Sequence, residues 1–372
     1  MAHSMPSPIN ALRSLLVALF ALGAIGAHAQ FPSEYPTGYR KIVSAAQHEG
    51  RLVIYSSTDL SAAAPLISEF EALYPGIEVE YDEMNSPEVY ARFVSETEVD
   101  GRSADVTWSS SMDLQIKLAN DGFAEAYRTP EARNLPQWAI WRDEAFGTTF
   151  EPAVFVYNKR LLKADEIPRT HGDFLRLLSQ RPRKFNSNVT MYDIGRSGVG
   201  FLFLTQDSMA MPSFWELIDA LGAANVELEA NTAPMMERIA SGKDLLGYNL
   251  LGSYAMARAQ HDPALGVVLP QDYTLILSRV LLIAKHAPHP NAAKLWLDFL
   301  LSRRGQTIIA ERSRLFSIRS DVEGEFTAAS LMKKLGDTAR PIPVGPGLLV
   351  HLDRSKRREF MKRWRQTIAS PQ

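Results

Sequence analysis

The chain contains no cysteine. Disulfide bonds and a lipid-modified cysteine at the start of a mature chain are therefore excluded. A strong charge of one sign is also missing, because 40 Lys and Arg residues oppose 42 Asp and Glu residues and leave a formal net charge of -2. Without an overall basic field, the composition gives no electrostatic support for a nucleic-acid partner.

Long apolar runs are missing as well. Residues 15–25 form a short apolar run, but a membrane-spanning helix needs roughly 20 apolar residues, and no later stretch approaches that length. Arg13 precedes the run, and Ala27-His28-Ala29 follows it as a small-x-small cleavage motif. These features predict a cleavable export signal. We expect cleavage after Ala29 and a mature protein that diffuses freely in the periplasm.

The rest of the chain has the composition of an ordinary globular α/β protein. Hydrophobic residues make up 46% and charged residues 22% of the sequence, so disorder is not indicated. Residues 30–372 are long enough for two domains at roughly 100 to 200 residues each. We therefore expect two lobes, and we expect the protein to be a monomer.

Strands and helices alternate in the first half of the chain. Residues 51–55, 77–84 and 104–108 read as strands, and each is followed by a polar loop and a segment with helical spacing, at residues 61–74, 86–99 and up to Asn120. This alternation predicts a parallel sheet with right-handed crossovers. Ligands of such sheets bind at the carboxyl ends of the strands.

The second half of the chain predicts another lobe and two passages between the lobes. Residues 146–158 read as one extended segment, in which Pro152 disfavours a central strand position, and residues 266–284 read as the return. Two passages imply a hinge and a cleft. The expected division is a signal peptide at 1–29, a first lobe at 30–150 plus 275–372, which includes C-terminal helices, and a second lobe at 151–274. Further helices are expected at residues 172–179, 200–209, 213–221, 232–241, 291–301, 305–312 and 353–368.

The densest binding signal is a glycine-rich turn at residues 193–200, just before an apolar helix. Gly198 and its neighbouring glycines permit close backbone approach, and the helix start offers unpaired N–H groups to an anion. Arg196 could add a charge-assisted contact to a carboxylate or phosphate, with Ser197 beside it. A simple turn is the alternative. The turn lacks the spacing of a dinucleotide fingerprint and the terminal Lys-Ser/Thr of a Walker loop.

Two hydroxyl clusters follow predicted strands and could face the same cleft from the other lobe. The clusters are Ser56-Ser57-Thr58 and Ser109-Ser110-Ser111. A single hydroxyl at a helix start most often caps its own helix. For the two clusters together we favour binding. A hydroxyl that caps a helix start in the empty protein can also contact a ligand oxygen when the site is occupied.

Four further residues are weaker candidates for ligand contact. Tyr248 and Asn249 follow a short apolar strand, although a tyrosine at a strand end often packs in the core with its hydroxyl at the rim. Trp108 could line the cleft or pack against the sheet. Asp272 lies in the return passage, where hinge stabilisation and ligand contact would explain it equally well.

Five segments, taken in their order and spacing, form a pattern found in a known family. They are Leu52-Val53-Ile54-Tyr55-Ser56-Ser57, Ala104-Asp105-Val106-Thr107-Trp108-Ser109-Ser110, Val156-Tyr157-Asn158-Lys159, Ser197-Gly198-Val199-Gly200 and Leu269-Pro270-Gln271-Asp272. The whole mature chain resembles the type-2 periplasmic solute-binding proteins of ABC transporters, in the branch of ferric-iron, hexose-phosphate and aminoethylphosphonate receptors. The resemblance implies two α/β lobes joined by crossover strands, which close on a solute and present it to a membrane partner.

The sequence departs from the iron-binding members of that branch. Those members carry adjacent tyrosines, whereas Tyr248 and Tyr254 are separated by five residues and no two tyrosines are adjacent in the chain. We therefore do not expect ferric iron to be the solute. The eight histidines show no metal-ligand spacing, and we expect neither a metal nor a cofactor.

The tail contains the segment Leu349-Val350-His351-Leu352-Asp353-Arg354-Ser355-Lys356-Arg357-Arg358-Glu359-Phe360. This segment resembles the end of binding proteins of the phosphoglycerate-transport regulatory type. It predicts a strongly basic helix with Phe360, Met361 and Trp364 interleaved. A solvated face over a buried apolar seam is one interpretation, and a surface that docks on a membrane partner or on anionic headgroups is the other.

The leading hypothesis is a binding protein that captures a small phosphorylated or carboxylated organic anion by hinge closure and delivers it to an ABC permease. The alternative is an adaptor that reports the solute to a membrane histidine kinase. A secreted hydrolase is the third class, but the chain has no Gly-x-Ser-x-Gly elbow and shows no placement of a catalytic triad. We therefore do not expect an enzyme.

Overall fold

The computed structural model describes Pro32 and residues 35–368. The predicted export signal and its cleavage site after Ala29 lie outside the described residues. Within the described part of the chain, no helix is long and apolar enough to cross a membrane.

The strands, in chain order, belong to two mixed sheets. They are β1 (Arg51–Ser56), β2 (Glu78–Glu83), β3 (Val106–Ser109), β4 (Ile140–Trp141), β5 (Ala145–Gly147), β6 (Glu151–Asn158), β7 (Val189–Tyr192), β8 (Glu227–Glu229), β9 (Leu246–Leu251), β10 (Leu265–Val268), β11 (Thr274–Leu277), β12 (Val280–Ile283) and β13 (Ala339–Pro341).

Most helices follow a strand and cover a sheet face. They are α1 (Tyr39–Glu49), α2 (Leu60–Leu73), α3 (Ser86–Asp100), α4 (Met112–Asn120), α5 (His171–Gln180), α6 (Pro182–Phe185), α7 (Gly198–Ala210), α8 (Phe214–Ala223), α9 (Thr232–Ser241), α10 (Gly252–Ala259), α11 (Pro290–Leu301), α12 (Arg303–Ile308), α13 (Ala328–Leu335) and α14 (Arg354–Ile368). A π turn at Ile309–Ser313 follows α12, and a 3₁₀ segment at Pro346–Leu352 precedes α14.

The first sheet has the strand order β2-β1-β3-β12-β5-β4. Strand β1 runs parallel to both neighbours, with Ile54 opposite Tyr81 on β2 and Val106 on β3. Helices α2 and α3 supply the crossovers that parallel neighbours require. The packed rings of Phe70 on α2 and Trp296 on α11, 5.2 Å apart, belong to the core beside this sheet. We call this sheet and its helices the first lobe.

The second sheet has the strand order β13-β11-β6-β9-β7-β8, and β10 pairs with β6. Strand β6 is antiparallel to its neighbours, whereas β7 is parallel to β8 and β9. Every residue of β9 is buried, and so is every residue of β6 except Tyr157, because helices cover both faces of this sheet. We call this sheet and its helices the second lobe.

The chain passes twice between the lobes, and a buried ion pair joins the two passages. The first passage lies between β5 and β6, and the second lies between β11 and β12, where Arg279 is completely buried. The Arg279 guanidinium contacts Glu151 Oε1 at 2.8 Å and donates to Thr58 Oγ1 at 3.0 Å. Ser253 Oγ donates to the other oxygen of Glu151. This network ties both lobes to the hinge.

The predicted α/β fold with two crossings and a C-terminal helix is confirmed. The helix predicted at residues 232–241 has the same bounds in the structure, and most others differ by one or two residues. The segment predicted as one extended run at 146–158 is two strands, β5 and β6, because residues 148–150 leave one sheet before joining the other. Pro152 lies at the second position of β6, where a missing N–H costs less than at the strand centre.

The C-terminal segment differs from the expected division, which assigned residues 275–372 to the first lobe. Strand β13 pairs with β11 in the second sheet, and α14 packs on α8 of the second lobe. Gly222 on α8 permits this close approach, since a Cβ there would lie 2.6 Å from the Thr367 carbonyl oxygen. The 3₁₀ segment before α14 packs on α4 of the first lobe. The tail therefore contacts both lobes. The other predicted boundaries of the signal peptide and the two lobes stay a prediction.

Candidate functional site

A cavity of about 290 Å³ lies between the two lobes, and we call it the interlobe cavity. Its wall comes from the loops after β1, β2 and β3 in the first lobe and from the ends of β7, β8 and β9 in the second. Parallel strands bring their carboxyl ends to the same edge of a sheet, so this position follows from the topology. The loops predicted from the sequence to hold a ligand thus face one another.

Four helices begin at the wall of the interlobe cavity. Their cap residues are Asp59 for α2, Asn85 for α3, Ser197 for α7 and Asn231 for α9. The first N–H groups of a helix have no partner within the helix, and the helix dipole makes this end electropositive. Four converging helix starts therefore favour negative charge in the cavity without a cationic side chain.

The first-lobe hydroxyls form two rows, of which only the front row reaches the interlobe cavity. Ser57 and Ser110 line the cavity, and the Ser110 N–H donates to Ser57 Oγ at 3.0 Å. Ser109 lies behind them, with its hydroxyl 3.1 Å from Ser57 Oγ. Ser56 Oγ donates to the Trp108 carbonyl oxygen at 2.8 Å. Ser109 therefore holds the hydroxyl of Ser57 in place, whereas Ser56 bonds to the backbone behind it.

Three carboxylates also line the first-lobe wall. Glu83 Oε2 accepts from the Leu60 N–H at 2.7 Å, and Glu88 Oε2 accepts from the Asn85 N–H at 3.1 Å, so each carboxylate supports a helix start. Asp59 makes no cap bond with its side chain. Burial raises the pKa of Asp59, and the nearby Arg279 guanidinium opposes part of that rise. Among the described wall residues, neither Lys nor Arg occurs.

Two tyrosines complete the wall from the second lobe. Tyr192 Oη shares a hydrogen bond of 2.6 Å with Thr232 Oγ1, and Tyr254 Oη accepts from the Asp59 N–H at 3.0 Å. Burial raises the pKa of Tyr192 to about 12 and raises the pKa of Tyr254 above its ordinary value. Both side chains therefore remain phenols at neutral pH. The bond between Tyr254 and Asp59 joins the lobes at the cavity.

Residues 65–334 match the bacterial extracellular solute-binding proteins. The chain belongs to this family. The chain is also similar, at 40% identity, to the substrate-binding protein of an ABC transporter from Agrobacterium tumefaciens, with a TM-score of 0.83 over 86% of this chain and 94% of that one. This solute-binding protein is accordingly the substrate-binding protein of an ABC transporter, and the resemblance inferred from its sequence is confirmed.

Two more distant structures show the same fold. AfuA from Actinobacillus pleuropneumoniae, solved with fructose-6-phosphate bound, is 21% identical, with a TM-score of 0.70 over 86% of this chain and 98% of that one. Iron-bound HitA from Pseudomonas aeruginosa is 15% identical, with a TM-score of 0.69 over 85% of this chain and 99% of that one. A search of curated proteins found no match.

Arg196 of this solute-binding protein does not line the interlobe cavity. Its Nε lies 2.7 Å from Asp193 Oδ2, and its Nη2 donates to the Leu228 carbonyl oxygen at 3.0 Å. The carboxylate three residues earlier in the same turn thus holds the guanidinium at the protein surface. Arg196, which was predicted to contact the solute, thus lies outside the cavity wall and makes this ion pair, whereas Ser197 and Gly198 of the same turn line the cavity.

Other predicted site residues support the core instead. Tyr248 Oη donates to Asp207 Oδ2 at 2.8 Å, and Asn249 Nδ2 donates to the same oxygen at 2.5 Å. Asp272 accepts from the His171 N–H at 2.9 Å. Tyr248, Asn249 and Asp272, which were predicted to contact the solute, therefore lie outside the wall of the interlobe cavity.

Trp108 and Thr58 also make contacts inside the protein rather than at the interlobe cavity. The Trp108 indole is completely buried and donates to Thr148 Oγ1 at 2.9 Å, and Thr58 accepts from Arg279 in the hinge network. Of the twelve residues predicted to bind the solute, four line the interlobe cavity: Ser57, Ser110, Ser197 and Gly198.

Sequence reasoning missed most of the polar wall. The missed residues share a position at or just after a strand end, and they are Asp59, Glu83, Asn85, Ser86, Glu88, Tyr192, Asn231, Thr232 and Tyr254. One signal was present in the sequence, since Asn85 and Glu88 form a capping box before α3. That signal predicts a helix start, but it does not say that the helix start faces a ligand.

Proposed function

We propose that this solute-binding protein captures a small organic anion, phosphorylated or carboxylated, whose other end carries hydroxyl or amino groups. Delivery to the permease of the ABC importer follows from the family. The observation that carries the proposal is the contrast between the two walls of one cavity: each wall has two helix starts and hydroxyl groups, but all three carboxylates lie on the first-lobe wall.

The anionic group would lie against the second-lobe wall. Helices α7 and α9 begin there, and Ser197 and Thr232 add hydroxyl groups beside their first N–H groups. Because this wall holds no carboxylate among its described residues, nothing there repels an anion. Backbone N–H groups and the helix dipole would supply the compensating charge that Arg196 was expected to provide.

The opposite end of the solute would face the first-lobe wall. A carboxylate only accepts hydrogen bonds, so Asp59, Glu83 and Glu88 select for hydroxyl or amino donors and against a second anionic group. Asp59 carries this role best, since its side chain makes no cap bond with α2. A cavity of about 290 Å³ lies at the lower end of ligand sites in proteins, which favours a small metabolite.

Ferric iron fits the interlobe cavity less well than an organic anion. A tyrosine binds Fe(III) as a phenolate, and burial opposes ionisation by raising the pKa of Tyr192 to about 12. In the described residues, no group of three or more Asp, Glu, His or Cys side chains is arranged to hold a metal ion. We therefore propose an organic solute.

A thermal-shift panel on residues 30–372 tests the proposal. The panel holds hexose phosphates, phosphoglycerates, aminophosphonates and amino acids, with inorganic phosphate, neutral sugars and ferric iron as controls. A solute present at 100 times its Kd stabilises the folded state by about 2.7 kcal/mol. We expect one anion with hydroxyl or amino groups to raise the melting temperature. Stabilisation by neutral sugars alone or by iron alone would contradict the proposal.

A further inference from the structure

The tail helix α14 carries a row of cations that the solute site does not use. The helix holds seven Lys and Arg residues and one Glu, although the whole chain has a net charge of -2. Arg354, Arg358, Lys362 and Arg365 are spaced by four, four and three positions, which puts them on one helix face. We call these four residues the basic ridge. At 1.5 Å per residue, the ridge is about 16 Å long.

The basic ridge is exposed and its charges are uncompensated. All four side chains belong to exposed residues. Within the described part of the chain, none of them forms an ion pair or lies over an aromatic ring. Their neighbours on the helix differ, because Arg357 and Arg363 lie over the rings of Phe201 and Trp215 at 4.6 and 4.0 Å.

The apolar side of α14 is buried in the protein and holds the basic ridge in place. Phe360, Met361 and Trp364 are buried, and the Phe360 ring stacks on Phe214 of α8 with the centroids 6.1 Å apart. The helix is therefore fixed to the second lobe with its cations outward. Its aromatic side chains are not available to insert into a membrane or to fill a pocket on another protein.

This composition fits a smooth anionic surface better than a protein partner. The energetic centre of a protein interface is usually a desolvated aromatic or Arg anchor in a pocket, surrounded by neutral contacts. The basic ridge has no exposed aromatic residue on its face and no flanking apolar patch on α14. Lipid headgroups require only charge, and each cation near an anionic bilayer increases binding about fivefold.

We propose that the basic ridge docks this solute-binding protein on bilayers that contain anionic phospholipids. The contact is electrostatic and peripheral, because the apolar residues of α14 face the protein interior. This contact with the bilayer does not involve the interlobe cavity, and it does not depend on which solute binds there.

Vesicle co-sedimentation tests the proposal with the mature protein. The vesicles contain phosphatidylcholine alone or phosphatidylcholine with phosphatidylglycerol. We expect binding only to the second kind, at low salt, and its loss at high salt because exposed charges are then screened. The variant Arg354→Gln/Arg358→Gln/Lys362→Gln/Arg365→Gln should bind at least about 100-fold more weakly.

Two control variants separate the basic ridge from net charge and from specific recognition. Arg40→Gln/Lys41→Gln/Arg102→Gln/Arg183→Gln removes the same charge from scattered exposed positions and should still bind anionic vesicles. Arg354→Lys/Arg358→Lys/Arg365→Lys keeps the charge and should also bind. Absence of binding by the unaltered protein at low salt overturns the proposal, as does an equal loss in the scattered variant. Loss of vesicle binding in the lysine variant would also overturn the proposal of a purely electrostatic contact, because lysine carries the same charge as arginine. Unchanged thermal melting checks that each variant is folded.

Discussion

The two walls of the interlobe cavity are built in the same way but carry different charge. In each wall, strands end and helices begin, as parallel strands require. The first-lobe wall carries Asp59, Glu83 and Glu88, whereas the described second-lobe wall carries hydroxyls, amides and phenols. The architecture therefore supplies a pair of electropositive helix starts on each side, and the side chains around them decide which end of a solute each wall prefers.

The difference in charge between the two walls also bears on two separate steps, recognition of the solute and closure of the lobes. In the proposed function, the carboxylates of the first-lobe wall would select donors and the helix starts of the second-lobe wall would attract the anion, so neither wall alone would recognise both ends of the proposed solute. A solute that contacts both walls stabilises their approach and shifts the population toward the closed arrangement. Specificity in this design depends on keeping both walls attached to one hinge.

The largest expected effect comes from breaking that hinge attachment with Arg279→Met. Arg279 contacts Glu151 at 2.8 Å, and the substitution leaves the Glu151 carboxylate buried without its cation. Breaking a buried ion pair by removing one partner costs about 3–5 kcal/mol. Urea unfolding should therefore show a large loss of stability. The double variant Arg279→Met/Glu151→Leu removes both charges and should recover part of it; a single variant that loses less than about 1 kcal/mol would remove the pair from the hinge.

The next effect comes from keeping the walls apart with Gly198→Val. A Cβ at Gly198 would lie 2.0 Å from Ser111 Oγ and 3.1 Å from the Cβ of Ser86, and both serines belong to the first lobe. Overpacking costs about 3 kcal/mol at its upper range, which corresponds to about 100-fold weaker binding of the solute found in the panel. Titration calorimetry measures the affinity, and we expect little change in the melting temperature without solute, because opening the lobes relieves the clash.

Two further variants test whether Gly198→Val weakens binding by blocking closure of the lobes. Gly172→Val is the matched control, since a Cβ at Gly172 meets only Thr170 Oγ1 at 3.7 Å. It should leave affinity unchanged. Ser111→Gly removes the first-lobe atoms nearest to a side chain at position 198 and should restore part of the affinity when combined with Gly198→Val. If Ser111→Gly restores nothing, contact between the walls at Gly198 is not what limits binding.

The fold could be predicted from sequence because its signals are local. Hydrophobic periodicity and polar loops identified most strands and helices, including residues 232–241 with the observed bounds. The error at residues 146–158 has the same origin. Residues 148–150 continue the strand-like sequence pattern, and only the strand pairing in the structure shows that they belong to neither sheet.

The site was less predictable, because it depends on where side chains point. Ser57, Ser110, Ser197 and Gly198 were found, since residues that follow strands in a parallel sheet collect at one edge. Arg196 was assigned to an anion by its charge, but Asp193 lies three residues earlier and holds it. Asp59 was missed because an acidic residue before a helix reads as an ordinary cap.

The smallest expected effect tests the donor-selecting role of Asp59 and separates it from folding. Asp59→Asn keeps one acceptor oxygen but loses the charge, so we expect the solute to bind about tenfold more weakly by calorimetry. Binding should also weaken in the unaltered protein as the pH falls through the pKa of Asp59, which burial raises above its ordinary value of 3.8.

The raised pKa of Asp59 also affects folding. Between pH 3.8 and the raised pKa, the folded state binds a proton that the unfolded state has lost. The contribution of Asp59 to stability therefore becomes unfavourable as the pH rises through this window. The solute-free Asp59→Asn protein should therefore melt slightly higher than the unaltered protein at pH 7, and the difference should shrink toward pH 4. A variant that binds normally, or that melts lower at pH 7, would show that the first-lobe wall does not use Asp59 in this way.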